Sequence, residues 1–481
     1  MFKILNNRLA SILVQNNHIL GNNNFAALPG RSTVEPIHTI NCILEDAREN
    51  KKELWMLFQD MSKAYDRVNR KFLYKALRRI CLPTEFISLL KNSLEGRTNH
   101  VITAVGNTDE YIMENGIDQG EVISPLLWVI YYNPLFERIN NHQENAYKIE
   151  FKFQWQQHNH LLEEYLSSIA YMDDTTFLAP SKQAMKKTLE IADNFNLMTG
   201  IIVNPEKSEL IVINSNEDDK SINYGHNTYN IKCKDENEPV RYLGVWLSGQ
   251  RNDKFIINQC KEEIINTTNR LKRKKITSQQ VIYVFNAVII PRIEYRTNLT
   301  ILNEKICVKV QVPIRKLLRH KSNLVNTLPN TILWNKEIYG LLDIFNRCIE
   351  NQTSNLIANI NDTGKLGNLM EIRIAQLQIK EWLPHNPLTN WPYFNPMPFK
   401  YSIIAQILSI VNNWEINIKW NKPDIINFKG NTPLSYIIEY NKYRIYKDKL
   451  RGKKLMFLDQ ITEESFLLQW DQLHIKNDFN R

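Results

Sequence analysis

Three aspartates stand where aspartate is uncommon. Asp60 follows the apolar run Leu54-Trp55-Met56-Leu57-Phe58, and the adjacent pair Asp173-Asp174 lies between two strand-like runs, Ser168 to Tyr171 and Thr175 to Leu178. Aspartate has poor β-propensity and is seldom buried without a partner. A buried strand that ends in an acid, set beside a hairpin tipped by two more, would bring three carboxylates to one sheet edge. Carboxylates that close repel one another and cannot all ionise without a counter-cation. A hard divalent ion with oxygen ligands meets that need, and magnesium keeps open positions for substrate phosphates. Two such ions roughly 3.5–4 Å apart would activate an attacking hydroxyl and steady a leaving pyrophosphate in an in-line displacement. Phosphoryl transfer asks mainly for positioning and charge neutralisation, which carboxylates and lysines supply. The bland alternative is that each acid closes a turn or caps an element, and spacing alone leaves both readings open.

The elements that must position these acids can be read locally. Apolar spacing from about Ile37 to Glu49 is helical, and Leu54 to Phe58 reads as a buried strand. Ser62 is placed to cap a following helix with Ala64, Val68, Phe72 and Leu73 on its apolar face. Ser124-Pro125 reads as an N-cap with proline at the first helical position, opening a largely apolar helix to about Ile139. Tyr147 to Trp155 alternates apolar and polar residues, a half-buried strand. Residues 182–199 read as a helix stopped by Gly200, and Ile201 to Val203 and Leu210 to Ile213 as strands around an Asn204-Pro205 turn. Residues 216–237 are polar, a loop with a weak strand or two, and Val240 to Leu247 is again strand-like. Near the start, Leu5, Leu9, Ile12 and Leu13 fit one face of a helix.

Beyond about residue 254 the sequence turns helical and basic. One cluster holds Arg270, Lys272, Arg273, Lys274 and Lys275, a second Arg315, Lys316, Arg319 and Lys321, and a third runs from Lys442 to Lys454. Prolines at 384, 387, 392, 396 and 398 mark a linker, and Trp382, Trp391, Trp414, Trp420 and Trp470 point to a further core.

A length of 481 residues suggests about three globular units. Hydrophobic residues at 43% and charged ones at 23% exclude wholesale disorder, and 15 Gly with 18 Pro exclude collagen-like sequence. Lys and Arg number 60 against 51 acids, and the net charge of +9 suits a polyanionic partner such as nucleic acid, although it also simply aids solubility. Six cysteines form no C-x-x-C and no zinc spacing with His, which reads as a reduced, intracellular chain with buried thiols. The start lacks a secretory signal pattern, and the most apolar run, Val122 to Tyr132, is too short to span a bilayer, so a soluble protein without membrane contact is expected.

The segments FQDMSKAYDRV (58–68), GIDQGEVISPLLW (116–128), AYMDDTTFL (170–178), GIIVNPEKSEL (200–210) and VRYLGVWL (240–247) resemble, in order, the motifs of reverse transcriptases. They look most like the branch of non-LTR (LINE-type) retrotransposons, related to group II introns, and LPGRST (28–33) is similar to the finger motif that precedes them. The resemblance covers about residues 1–300. It implies an α/β (α+β) right-hand polymerase with an antiparallel-sheet palm backed by helices, and mostly helical fingers and thumb. It divides the chain into partial fingers at 1–50, palm with finger insertions at 51–253, thumb at 254–350 and an α-rich C-terminal region at 351–481.

The same resemblance implies that Asp60 and Asp173 bind both of two Mg2+ ions, with Mn2+ as an alternative, and that Asp174 lies beside them. Tyr65 would be the steric gate under the sugar, and Gln119 and Gly120 would shape the nucleotide pocket. Arg31 would touch phosphates, and Lys207 would protonate the leaving pyrophosphate. Tyr242, Leu243 and Gly244 would be the primer grip, and the cluster from Arg270 to Lys275 would contact nucleic acid. The partners implied are an RNA template, a DNA primer, dNTPs and other retroelement proteins.

Two positions depart from the family pattern. Leu28 stands where arginine is common, and Asp118, where proline is common, brings an extra negative charge near the nucleotide pocket. The opening MFKILNNRLASIL resembles a point already inside the fingers, so an upstream finger segment is expected to be missing. No endonuclease, Cys/His knuckle or RNase H pattern is recognisable. The expected function is an RNA-directed DNA polymerase of a retrotransposon. The competing readings are a catalytically inactive nucleic-acid-binding remnant and a helical adaptor.

Overall fold

The computed structural model describes residues 2–16, 18–155, 158–225, 228–381, 383, 386–388, 391, 402–412 and 418. The third basic cluster, Trp382, Trp414, Trp420, Trp470 and the prolines at 384, 392, 396 and 398 lie outside the described residues. The chain divides into two compact units, one of 1–148 with 165–255 and one of 149–164 with 256 onward.

The first unit is built on a four-stranded sheet. Its strands are β1 (Leu54–Met61), β2 (Ser168–Tyr171), β3 (Asp174–Ala179) and β4 (Val203–Ile213), in the order β4-β1-β3-β2. Every neighbouring pair is antiparallel. Helices α1 (Phe2–Gln15), α2 (Val34–Asn50), α3 (Arg70–Arg79), α4 (Thr84–Leu94), α5 (Ser124–Asn140) and α6 (Lys182–Thr199) complete it with a hairpin of β5 (Val240–Tyr242) and β6 (Val245–Leu247).

One continuous core joins Leu9 and Leu13 of α1 to Trp55 and Leu57 of β1, Leu77 of α3, Trp128 of α5 and Leu189 of α6. Alternate strand residues face these helices, which leaves the opposite positions free to carry polar chemistry. Trp128 stacks on Tyr132 with ring centroids 5.4 Å apart, and Tyr132 meets Phe136 edge-on at 5.0 Å. These stiff rings fill the layer behind the sheet with little rotamer freedom left to lose.

The fold class is the α/β arrangement with an antiparallel palm expected from the sequence. Several local expectations need correction. Ser62 caps no helix: its N–H donates to Ile202 O at 2.9 Å, a 3-10 turn follows at Tyr65–Arg67, and α3 is capped instead by Asn69, which accepts from Lys71 N and Phe72 N. Ser124 lies inside the first turn of α5, whose cap position is Ile123 and has no side-chain bond. Asn204-Pro205 does not divide two strands; β4 runs through it. Val240 to Leu247 is a hairpin rather than one strand. Ile12 is 50% exposed, so only part of the expected α1 face is buried.

The strands Tyr147–Trp155 and His158–Leu166, whose residues 149–164 fall in the second unit, pair as a ribbon. The helix Lys365–Lys380 holds it: Gln376 Nε2 donates to Glu150 O at 2.9 Å and Asn368 Nδ2 to Glu164 Oε2 at 3.2 Å. Trp391 joins this unit's core and donates to Ser409 Oγ at 2.9 Å. Of the second basic cluster, Lys316 is exposed and Lys321 half-buried, whereas the two arginines are turned inward. Arg315 and Arg319 are 4% and 9% exposed, and donate to Val308 O and to Leu328 O with Asn330 Oδ1. They lie beside Ile314, Leu317 and Leu318 on a short helix that packs most of its circumference. None of the six cysteines is in a disulfide, and four are buried. Among the described residues no helix is long and apolar enough to cross a membrane.

Candidate active site

Strand β1 is buried from Leu54 to Gln59 and first reaches solvent at Asp60. Its register against β3 sets Gln59 opposite Thr175, so one further step brings Asp60 across from Asp174. On its other side the ladder slips. Between Phe58 and Asp60 the partner moves from Glu209 to Asn204, five steps on β4 against two on β1. The extra residues form a bulge, the kind of irregularity that re-aims side chains beside active sites. Ser208 takes the place of the missing ladder partner, accepting from Asp60 N at 3.2 Å and donating to Asn204 O at 2.8 Å. The bulge carries exposed Lys207 over an open cavity lined also by Asp60, Asp174 and Leu243.

Strands β2 and β3 meet in a two-residue turn, with Tyr171 paired to Asp174 and Met172-Asp173 at its tip. Met172 has φ 58°, the position that glycine takes most easily in a tight hairpin. The acids feel one another. Partial burial, and then Asp60, push the Asp173 carboxyl above its ordinary range. Asp174 is pushed up to about 6 by burial and by the charges of Asp173 and Asp60, although its side chain still reaches solvent. The structure thus brings the three acids into one electrostatic cluster.

Among the described residues no three His, Cys, Asp or Glu side chains close into a cage. Magnesium does not require one, because one or two carboxylates suffice when substrate phosphates and water complete its shell. Three mutually repelling carboxylates, of which Asp60 and Asp174 line the cavity, are a donor set that fits such an ion.

Tyr65 lies beside this cluster. Its ring stacks on Trp128 at 5.8 Å, and its hydroxyl donates to Met172 Sδ at 3.8 Å. Burial and the Asp173 charge push its phenol up to about 12, so it stays a neutral donor. Gly120 has φ 101° and open space where a side chain would point, so its glycine answers to backbone conformation and not to a close protein neighbour. Gln119 precedes it in the loop before α5. Asp118 forms an ion pair with Arg97, so the extra charge read from the sequence is compensated. Arg31 pairs with Glu35 at 2.7 Å and lies 5.6 Å from the centre of the Phe25 ring, which fixes its position beside the finger motif.

Tyr242, Leu243 and Gly244 form the β5–β6 turn, with φ 46° at Leu243 and 83° at Gly244. Tyr242 packs 5.4 Å from the ring of Phe58, which brings the turn to the cavity. Arg270, Lys272, Arg273, Lys274 and Lys275 belong to the second unit, are all exposed, and have no carboxylate partner among the described residues.

Sequence reasoning missed several supports. At Gly116, φ 92°, a Cβ would meet Asp66 O at 3.0 Å and Tyr65 O at 3.2 Å. Gly116 N donates to Val68 O at 2.8 Å and Ile117 N to Tyr65 O at 3.0 Å, so this strand of chain sets the height of Tyr65. Buried Arg70 ties the same stretch down through Met113 O at 2.8 Å and Gly116 O at 3.1 Å. Beneath Asp60, Gln59 accepts from Tyr224 OH and donates to Tyr132 OH, a buried polar link between β1 and the helices. Only glycine, at 116, carried a local signal.

The sequence profile described as reverse transcriptase (RNA-dependent DNA polymerase) matches residues 1–247. The chain belongs to that family. A probable RNA-directed DNA polymerase from transposon BS of Drosophila melanogaster is 30% identical over 129 residues, covering 27% of this chain and 14% of that protein. The retrovirus-related Pol polyprotein from type-2 retrotransposable element R2DM of the same organism is 19% identical over 307 residues, covering 63% of this chain and 27% of its own length. The chain therefore spans about a quarter or less of these relatives. Among solved structures, telomerase from Candida albicans in complex with a fragment of telomeric RNA aligns with a TM-score of 0.40 at 12% identity, covering 80% of this chain and 56% of that one.

Proposed function

We propose that this chain is an RNA-directed DNA polymerase of the retrotransposon type, joining dNTPs to a DNA primer 3′ end on an RNA template. The observation that carries the reading is the electrostatic coupling of Asp60, Asp173 and Asp174, with Asp60 and Asp174 lining one partly open cavity and the ionised forms of Asp173 and Asp174 disfavoured. Asp60, Asp173 and Asp174 are the residues that would hold two Mg2+ ions, or Mn2+. Bound there, such ions would lower the pKa of the attacking hydroxyl and neutralise charge on the triphosphate.

The chain's own groups supply the rest. Lys207 is carried over the same cavity by the β4 bulge and donates a proton to the departing pyrophosphate, the work of a positioned general acid. Tyr65, braced by Trp128 and by the backbone of Ile117, forms the floor that a 2′-hydroxyl would strike. Gln119 and Gly120 border the nucleotide's path, and Arg31 offers a cation beside the finger motif. The Tyr242-Leu243-Gly244 turn steers the primer end, and the cluster from Arg270 to Lys275 neutralises template and primer phosphates.

Primer extension on a poly(A) template with magnesium tests the proposal. Wild type should incorporate nucleotide, and Asp173→Asn and Asp174→Asn should lose incorporation. A silent wild type, or variants as active as wild type, would favour the inactive nucleic-acid-binding remnant.

A further inference from the structure

The stretch 21–27 precedes the finger motif and carries three successive asparagines. Two of them are deeply buried, Asn23 at 2% and Asn24 at 7% exposure. The stretch lies along the outer edge of β2 as a short parallel partner, bridged at Asn24 and Ala170. Ala170 N donates to Asn23 O at 2.7 Å, and Phe25 N donates to Ala170 O at 2.9 Å. Asn23 Nδ2 fixes the register by donating to Ser168 O at 2.9 Å and to Ser168 Oγ at 3.0 Å.

That register sets the Asn24 carboxamide against the turn that carries the acids. Asn24 Nδ2 donates to Met172 O at 3.3 Å, and Met172 N donates to Asn24 Oδ1 at 3.3 Å. The same Oδ1 accepts from Ala26 N at 3.1 Å, which orients the amide. One side chain thus holds both backbone polar groups of the residue that has φ 58° and immediately precedes Asp173 and Asp174. A non-glycine residue remains in that region only where its surroundings over-determine it. The aim of Asp173 depends on this dihedral, because it is the next residue along the chain.

We infer that Asn24 is a positioning residue: its carboxamide clamps Met172 N–H and C=O, holds the turn in its left-handed conformation and so aims Asp173 and Asp174. The inference rests on the polymerase reading above for its consequence, but the clamp itself is measurable without catalysis. Asn24→Asp keeps the size and the acceptor and places an acceptor against Met172 O. Asn24→Ala removes both hydrogen bonds.

Hydrogen exchange on the full chain should show faster amide exchange confined to residues 171–175 in Asn24→Ala. Both variants should lower kcat for dNTP incorporation roughly tenfold to a hundredfold through misplaced acids. KM for dNTP should move little, and more Mg2+ should be needed for half-maximal rate. A merely structural role would lower melting temperature without that metal requirement. Adding Met172→Gly to Asn24→Ala should restore part of kcat, since glycine adopts positive φ without a brace. Unchanged exchange at 171–175 overturns the clamp. Faster exchange with unchanged kcat and magnesium requirement overturns the positioning role. A wild type that incorporates nothing defeats the polymerase reading and that role together, while the exchange result still decides the clamp.

Discussion

Asparagine at position 174 removes one of three like charges that the fold holds together, and this has a consequence for stability apart from catalysis. The Asp174 carboxyl stands at about 6 instead of an ordinary 3.8, because burial first, and then Asp173 and Asp60, disfavour its ionised form. A carboxyl raised in the folded state binds its proton more tightly there than in the unfolded chain. Stability contributed by the protonated form is therefore lost as pH rises through the window from 3.8 to about 6, and the ionised group is a net cost at neutral pH. A shift of about two units corresponds to ~3 kcal/mol. Asp174 remains open to solvent, and screening reduces that figure to about 1 kcal/mol. For a unit of this size that is about 2–4 °C in melting temperature. Calorimetry in the absence of divalent cations should find Asp174→Asn melting higher than wild type by about that amount near neutral pH. The gap should close on acidification to about pH 4, where both side chains are largely uncharged. Magnesium should then raise the wild-type melting temperature more than that of the variant, because the ion binds the folded site. A variant that melts at or below wild type near neutral pH, or a gap that survives acidification, would refute this account of the cluster.

Tyr65→Val should relax discrimination against ribonucleotides by roughly tenfold or more, ~1.4 kcal/mol, read as the ratio of kcat/KM for dNTP and rNTP. Gly116→Ala forces a side chain into φ 92° against the backbone of Asp66 and Tyr65. It should cost roughly 1–3 kcal/mol in denaturant unfolding and also disturb sugar discrimination through Tyr65. Neutralising Arg273, Lys274 and Lys275 together should weaken duplex binding at every sequence and flatten the plot of log affinity against log salt by roughly 2–3, about 0.9 for each phosphate that no longer meets a cation. An unchanged slope would make that cluster a solvated face.

The acid-bearing strand was legible because its apolar run is short, unbroken and ends in a charge, which few other elements allow. Helix α6 was legible from its C-terminal end, where Gly200 is in the left-handed conformation after Thr199, while its cap, Ser181 accepting from Ala184 N, went unread. The failures share a cause: local signals tell what a residue can do, and long-range partners decide which use prevails. Ser62 and Asn69 are both cap formers, but a 3-10 turn at Tyr65–Arg67 delays the helix to Arg70, which puts Asn69 and not Ser62 in the cap position. Asn204-Pro205 is a turn signal, yet pairing with β1 on both sides of it kept β4 whole and turned the signal into a bulge. Arg315 and Arg319 read as surface cations, since a charge gives no hint of the backbone carbonyls that will receive it. Asn24 left no trace because its partner, Met172, is 148 positions away.

The central claim is that Asp60, Asp173 and Asp174 act as one cation site. Electron paramagnetic resonance of free Mn2+, titrated into the full chain with primer–template present, measures that claim directly. The account predicts saturable binding to wild type, weakened by roughly tenfold or more, ~1.4 kcal/mol, in Asp60→Asn and again in Asp173→Asn, two positions far apart in the sequence. Equal Mn2+ binding by wild type and both variants would contradict it.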